Sequence, residues 1–248
     1  MKKTLMLLGL GAVLAQASFA SSIGLGYGVT DPIFKNDEKG YFLPFVDYEY
    51  NGFFVKGGSA YGLSLGYKFI ETDSYSFSVY GVPFGGYDVE AGDMDPGYRG
   101  IDDRETKLMG GMEFAYTSLP YEITSTLNVE AGEEGGLASL RLSKPFYVTS
   151  QLTLVPTISY TYYNEDLVDY YFGVDPHEAA KCYNIHGPYE GDAGSRYGIG
   201  LLGDYKFTNN VSIVGFAGIT KLSDELSNSP IADNDVIKAF GGGIVYSF

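Results

Sequence analysis

The sequence predicts an all-β protein, an antiparallel transmembrane β-barrel of about twelve strands, with both termini on the periplasmic side of an outer membrane. Three observations predict it. The chain opens with an export signal, its remaining length alternates large apolar residues with small or polar ones at period two, and it ends on an aromatic residue.

The signal comes first. Lys2 and Lys3 precede an apolar run from Leu5 through Leu14, and Ser18-Phe19-Ala20 places small residues at the −3 and −1 positions. Cleavage after Ala20 divides the chain into a signal peptide, 1–20, and one barrel domain, 21–248. The run is too short for a membrane anchor, which needs about 20 residues. No cysteine follows the cleavage site, which argues against a lipoprotein. No later segment is an unbroken apolar stretch of about 18 residues, so any crossing must use strands.

The strands follow in order at 22–30, 41–50, 52–57, 60–70, 75–88, 105–116, 121–131, 136–147, 151–163, 195–207, 211–221 and 235–248. Ile23, Leu25, Tyr27 and Val29 alternate with Ser22 and three glycines, and Leu65, Tyr67 and Phe69 with Ser64, Gly66 and Lys68. Leu108, Met112, Phe114 and Tyr116 oppose Lys107, Gly111, Glu113 and Ala115. Later runs sort more cleanly: Ile158, Tyr160 and Tyr162 oppose Thr157, Ser159 and Thr161, and Tyr197, Ile199 and Leu201 oppose Arg196, Gly198 and Gly200. Such a pattern puts one face in lipid and the other in a polar lumen. The 52–57 piece is the shortest, and without it ten strands is the even fallback. In the last strand Phe240, Ile244, Tyr246 and Phe248 share a face, an ending suited to the barrel assembly machinery.

Turns punctuate the strands at Asn51-Gly52, Glu71–Ser74, Ser118-Leu119-Pro120, Thr149-Ser150 and Thr208-Asn209-Asn210. Longer connections lie at 31–40, 89–104, 164–194 and 222–234. Periplasmic termini would put the short turns on the inner side and the long connections outside. A soluble sandwich or lipocalin-like barrel has the same periodicity; the signal, the terminal Phe248 and the Tyr-rich apolar face favour the membrane.

Without Lys2 and Lys3, 14 basic residues face 31 acidic ones, a formal charge of −17. That balance excludes nucleic acid, whose binding needs a basic footprint. The chain has 23 Tyr and 16 Phe, which suit strands and interfacial aromatic girdles. Its mean hydropathy of −0.04 fits a barrel, whose strands are apolar on one side only. Cys182, the single cysteine, has no partner for an internal disulfide.

Alternation points Asp47, Glu49, Lys56, Lys68, Glu113, Glu122, Glu130, Arg141, Arg196, Asp204 and Lys206 into the lumen. With both signs present they can line a path for ions or close the bore with ion pairs, and the second is favoured. The 164–194 connection is long for a loop, and its aromatic start, Tyr170, Tyr171 and Phe172, suits packing into or over the barrel mouth. Within it, His177, Cys182 and His186 have spacings that a metal tolerates. Asp175-Pro176-His177-Glu178 instead reads as a helix start, with Asp at the N-cap, Pro at N1 and Glu at N3, predicting a short helix over 176–182. Neither a metal nor any other cofactor is expected. Catalysis would require a partner for a histidine from another loop, such as Asp93, Asp95 or Asp102, and nothing in the sequence fixes that meeting. No enzyme is expected.

Three ordered stretches resemble the MipA/OmpV family of outer-membrane proteins, named for a member that interacts with a lytic transglycosylase. They are Leu43-Pro44-Phe45-Val46-Asp47-Tyr48-Glu49-Tyr50-Asn51-Gly52-Phe53-Phe54-Val55, Asp169-Tyr170-Tyr171-Phe172-Gly173-Val174 with Glu178-Ala179, and Lys221-Leu222-Ser223 with Asn228-Ser229-Pro230-Ile231 and Gly243-Ile244-Val245-Tyr246-Ser247-Phe248. Asn228 departs from the more usual Asp-Ser-Pro. The resemblance implies an outer-membrane barrel in contact with lipid, and a scaffold joining murein hydrolase and synthase machinery. The alternative it implies is a small porin for small solutes. It carries over no catalytic motif.

Overall fold

A computed structural model of the chain describes residues 21–36, 40–59 and 62–248. The expected signal peptide, 1–20, lies outside the described residues, as do parts of the 31–40 connection and of the strand expected at 60–70.

Thirteen strand segments form one antiparallel sheet: β1 Ser22–Thr30, β2 Gly40–Tyr50, β3 Phe53–Ser59, β4 Gly62–Glu71, β5 Tyr75–Gly85, β6 Lys107–Ser118, β7 Ile123–Gly132, β8 Gly135–Ser143, β9 Phe146–Tyr147, β10 Leu152–Tyr163, β11 Gly194–Lys206, β12 Val211–Leu222 and β13 Val236–Ser247. β8 and the two-residue β9 pair in turn with β10, so they are one interrupted stave. β1 pairs with β13, from Ser22 opposite Ser247 to Thr30 opposite Ala239, and closes a twelve-stave barrel. The short 52–57 piece is a true stave, β3.

Both described ends of the barrel chain and the short connections share one rim, here the terminus end. The Asn51-Gly52 turn there has φ of 50° and 83°, the left-handed values that join two strands in a two-residue hairpin. The long connections 86–106, 164–193 and 223–235 share the opposite rim, the loop end, with a tight turn before Gly135.

Side chains sort as period two requires. Ile23, Leu25, Leu108, Met112, Ile158, Ile199, Phe240 and Ile244 all point outward, with Leu108 72% exposed. Around the terminus end, Tyr48 lies near Phe248 (6.3 Å between ring centroids) and Phe53 packs on Tyr67, which packs on Phe69, a girdle of the kind found at a membrane interface. Among the described residues no helix is long and apolar enough to cross a membrane.

The inner face departs from a wholly polar lumen. Leu43, Val155, Leu202, Val214, Phe216 and Val245 form a buried apolar cluster inside the wall. A twelve-stave barrel has a small bore, and these inward side chains occupy part of it.

One joint in the wall is short. β2 and β3 pair only from Asp47 opposite Lys56 to Tyr50 opposite Phe53. Among the described residues, Gly40–Val46 find partners on β1 but none on β3. Pro44, which has no N–H to donate, lies in that stretch, as prolines do at sheet edges.

Candidate functional site

The residues that decide whether anything passes through this barrel lie in two layers, a cap at the loop end and a polar layer beneath it.

The cap is a hydrophobic core built by loops. Isolated bridges pair Phe34 with Ala232 and Asn36 with Met94, stitching three connections together, while Val89 with Arg104 and Val174 with Tyr189 each close one loop on itself. Met94 and Ile231 are fully buried. The 164–194 connection supplies two helices, α1 Glu165–Phe172 and α2 Pro176–Lys181. Asn164 starts α1: its side-chain oxygen accepts from the Leu167 and Gly136 N–H groups, capping the helix and tying it to β8. Leu167, Val168, Tyr171 and Phe172 recur on one helical face and are buried. Tyr171 and Phe172 sit in the centre of the cap, where Phe34 approaches Phe172 and Tyr87 approaches Tyr171 (ring centroids 5.1 and 5.2 Å apart). Burial pushes the Tyr171 phenol up from its usual pKa. Gly86, at φ 82°, leaves the space that Tyr171 fills, since a Cβ there would overlap its hydroxyl. Tyr170 is half-buried, with the Lys107 ammonium 5.3 Å from its ring.

α2 lies where the Asp175-Pro176-His177-Glu178 pattern puts it and ends one residue sooner, at Lys181. Glu178 does more than cap it. The Glu178 carboxylate is 1% exposed and accepts from the Asp175 N–H (2.8 Å), the Asp102 N–H (2.6 Å) and the Arg104 guanidinium (2.7 Å). Arg104 also donates to the Asp102 and Gly173 carbonyls. This buried pair locks the 86–106 loop onto α2.

Of the candidate metal ligands, His177 instead meets Asp102 (Nε2 to Oδ2, 2.8 Å), the Cys182 thiol donates to the Tyr98 carbonyl, and His186 is exposed. Among the described residues no three such side chains converge. The His177 hydrogen bond lowers the Asp102 pKa from the ordinary 3.8. Both side chains are half-exposed, and the pair joins the same two loops as Arg104 and Glu178.

Beneath the cap, a ladder row runs across the wall through Arg196, Thr161, Ser139, Asn128, Glu113 and Ser78. Lys56 pairs with Glu113 at 2.9 Å. The Asn128 amide donates to Glu113 (3.1 Å) and to the Tyr80 hydroxyl (2.9 Å), and Tyr80 donates to Glu130 (2.8 Å). Glu113, Glu130, Arg141, Arg196 and Asp204 are all buried. Arg196 also packs over the Tyr163 ring at 5.6 Å. At the terminus end Lys68 bridges Glu49 (2.6 Å) and Glu71 (2.7 Å), and half-buried Asp47 stands opposite Lys56 in the ladder.

Two candidate lumen residues are placed differently. Glu122 is not on a strand: it sits exposed in the turn before β7, at φ 55°, because β7 begins only at Ile123. Lys206 ends β11 at the rim and is exposed to solvent. Alternation puts Asn128 on the polar face but does not single out Tyr80, and both join distant carboxylates only once the register is set.

The family described as MltA-interacting protein MipA matches residues 23–248. The MltA-interacting protein of Escherichia coli strain K12 is 29% identical over 98% of this chain and 96% of its own length. A 24 kDa outer membrane protein of Pasteurella multocida is also 29% identical, over 84% of this chain and 83% of its own. A crystal structure of the NanC porin covers 91% of this chain and all of its own, with a TM-score of 0.51 at 7% identity, which is a likeness of fold. The Pasteurella relative is named an outer membrane protein, and the family is one named for an interaction, not an enzyme family. Barrel, relatives and a match across nearly the whole described chain agree: this outer-membrane protein belongs to the MltA-interacting protein MipA family.

Proposed function

We propose that the protein is a closed outer-membrane scaffold, not a conduit, and that its terminus end faces the periplasm and engages murein hydrolase and synthase machinery. The observation that carries the reading is the filled bore. A loop-built apolar cap, a paired polar layer and an inner apolar cluster lie in series along it. The name of the E. coli relative, an MltA-interacting protein, supports a murein enzyme as partner. In this reading residues 1–20 are a removed signal peptide, the chain begins at Ser21, and the strand ending at Phe248 is what the assembly machinery recognises.

Two assays on the refolded chain 21–248 test it. In planar bilayers the folded protein is expected to be electrically silent. Immobilised, it is expected to retain a murein hydrolase, and replacing the 72–74 turn with glycines is expected to weaken that retention. Discrete conductance steps altered by Arg196→Ala or a neutralised Glu113 would sink the closed-scaffold reading. They would favour a narrow channel instead. One observation supports that alternative: Ser139 Oγ and Thr157 Oγ1 are buried in the polar layer without a protein partner, which suits water there.

A further inference from the structure

The outer wall carries a feature that neither scaffold nor channel uses. A groove of about 690 Å³ lies over β2 to β5, bounded by Tyr48, Tyr50, Phe53, Val55, Leu65 and Tyr67. These belong to the outward set of their strands. The ladder aligns them in two adjacent rows, Tyr48, Val55, Leu65 and Gly81 in one and Tyr50, Phe53, Tyr67 and Val79 in the other. Where Gly81 stands, the wall has no side chain. Gly81 pairs with Gly110 and Gly110 with Ala131, so the low ground continues past the groove over the next two staves.

We propose that this groove seats an acyl chain of a glycerophospholipid. No residue lining it is charged, so it recognises hydrocarbon. It opens on the lipid-facing band, where acyl chains are the solvent. The depth of the groove selects the leaflet. Tyr48, on its border, is next to Phe248 in the girdle of the terminus end. Given the periplasmic placement of that end, on which this assignment rests, the groove opens into the inner leaflet, which is built of glycerophospholipids. Lys68, the cation of β4, is on the lumen face and is held there by Glu49 and Glu71, so it does not select the headgroup.

Glycine geometry supplies a matched pair of variants. A Cβ at Gly81 would meet only the Met109 carbonyl, at 3.8 Å, so Gly81→Leu starts without a clash and is expected to fill the groove. A Cβ at Gly215, an outward position on the opposite wall, would meet only the Gly241 carbonyl, also at 3.8 Å. The protein is reconstituted in vesicles of phosphatidylethanolamine and phosphatidylglycerol containing a trace of phosphatidylcholine with a diazirine on one acyl chain. After illumination, label is expected to concentrate on the peptides carrying Phe53, Leu65 and Val79. It should fall at least fivefold there in Gly81→Leu and stay unchanged in Gly215→Leu, both checked for folding by heat-modified gel mobility. Label spread evenly round the barrel, equal loss in both variants, or copy-to-copy cross-links through Phe53 would overturn the proposal. Native mass spectrometry of protein extracted from outer membranes is expected to show a glycerophospholipid adduct, and a lipopolysaccharide adduct lost in Gly81→Leu would overturn it. Labelling of a cysteine placed at Asp73, reached only after permeabilisation if the turn is periplasmic, separates failure of the orientation from failure of the groove.

Discussion

Replacing Glu178 with alanine tests whether the cap is held by its buried ion pair. Glu178 accepts from two backbone N–H groups and the Arg104 guanidinium while 1% exposed. Its removal leaves Arg104 buried with only the Asp102 and Gly173 carbonyls. Breaking a buried pair by deleting one partner costs about 3–5 kcal/mol. At about 1.4 kcal/mol per factor of ten, the opening equilibrium of the 86–106 loop rises about a hundredfold or more. Hydrogen exchange reads this directly, at the Val89 and Arg104 N–H groups that bond each other's carbonyls. They should exchange about a hundredfold faster or more, while the strand amides of β10 and β11 keep their protection. Replacing both partners, Arg104→Met with Glu178→Leu, should restore most of the protection, since an apolar pair avoids the desolvation cost. Exchange altered by less than threefold would refute the reasoning, and so would loss of protection throughout the barrel. The variant should remain silent in planar bilayers, because the polar layer below is untouched.

Further expectations concern the loops, the polar layer and the wall. Asp102 is held below its ordinary pKa by His177, so this contact contributes most above pH 3.8 and is lost as pH falls through the lowered value. Exchange in the 86–106 loop should quicken at the acid end, and Asp102→Asn should abolish that acid limb. Glu130→Ala removes the acceptor of the Tyr80 hydroxyl and should cost about 1.5–3 kcal/mol, seen as a lower melting midpoint in gel mobility. Gly66→Ala would place a Cβ 2.4 Å from the Val79 carbonyl oxygen and should collapse the folding yield. Gly110→Ala, with nothing within 4 Å of the new Cβ, should stay within about 0.5 kcal/mol of the parent.

How much of this was legible depended on how far apart in sequence the partners lie. The outward face could be read because Leu108, Met112, Phe114 and Tyr116 alternate with polar or small neighbours. In β12 the signal fades, since Ile213 and Val214 are both apolar although one faces out and the other in. The inner apolar cluster was invisible for that reason. α2 announced itself through Asp175, Pro176 and Glu178. α1 carried a readable pattern too, Asn164 as cap with Leu167, Val168, Tyr171 and Phe172 on one face, hidden by the expectation of a loop. The meetings of Tyr80 with Glu130 and of Arg104 with Glu178 were beyond reach, because they depend on ladder register and loop docking. Glu122 shows the opposite failure, a strand pattern extended two residues into a turn.

Among the described residues the joint between β2 and β3 has four pairs, and on that count it fixes how the wall carries load. Joints around a closed hoop are in series, so stretching the circumference puts the same tension on each. The joint of the two chain ends, β1 with β13, runs from Ser22 to Thr30 and is held by about twice as many pairs. Under lateral strain the barrel therefore parts first between Val46 and Gly57, within the continuous chain, and the Asn51-Gly52 hairpin stays as the tether that lets it close again.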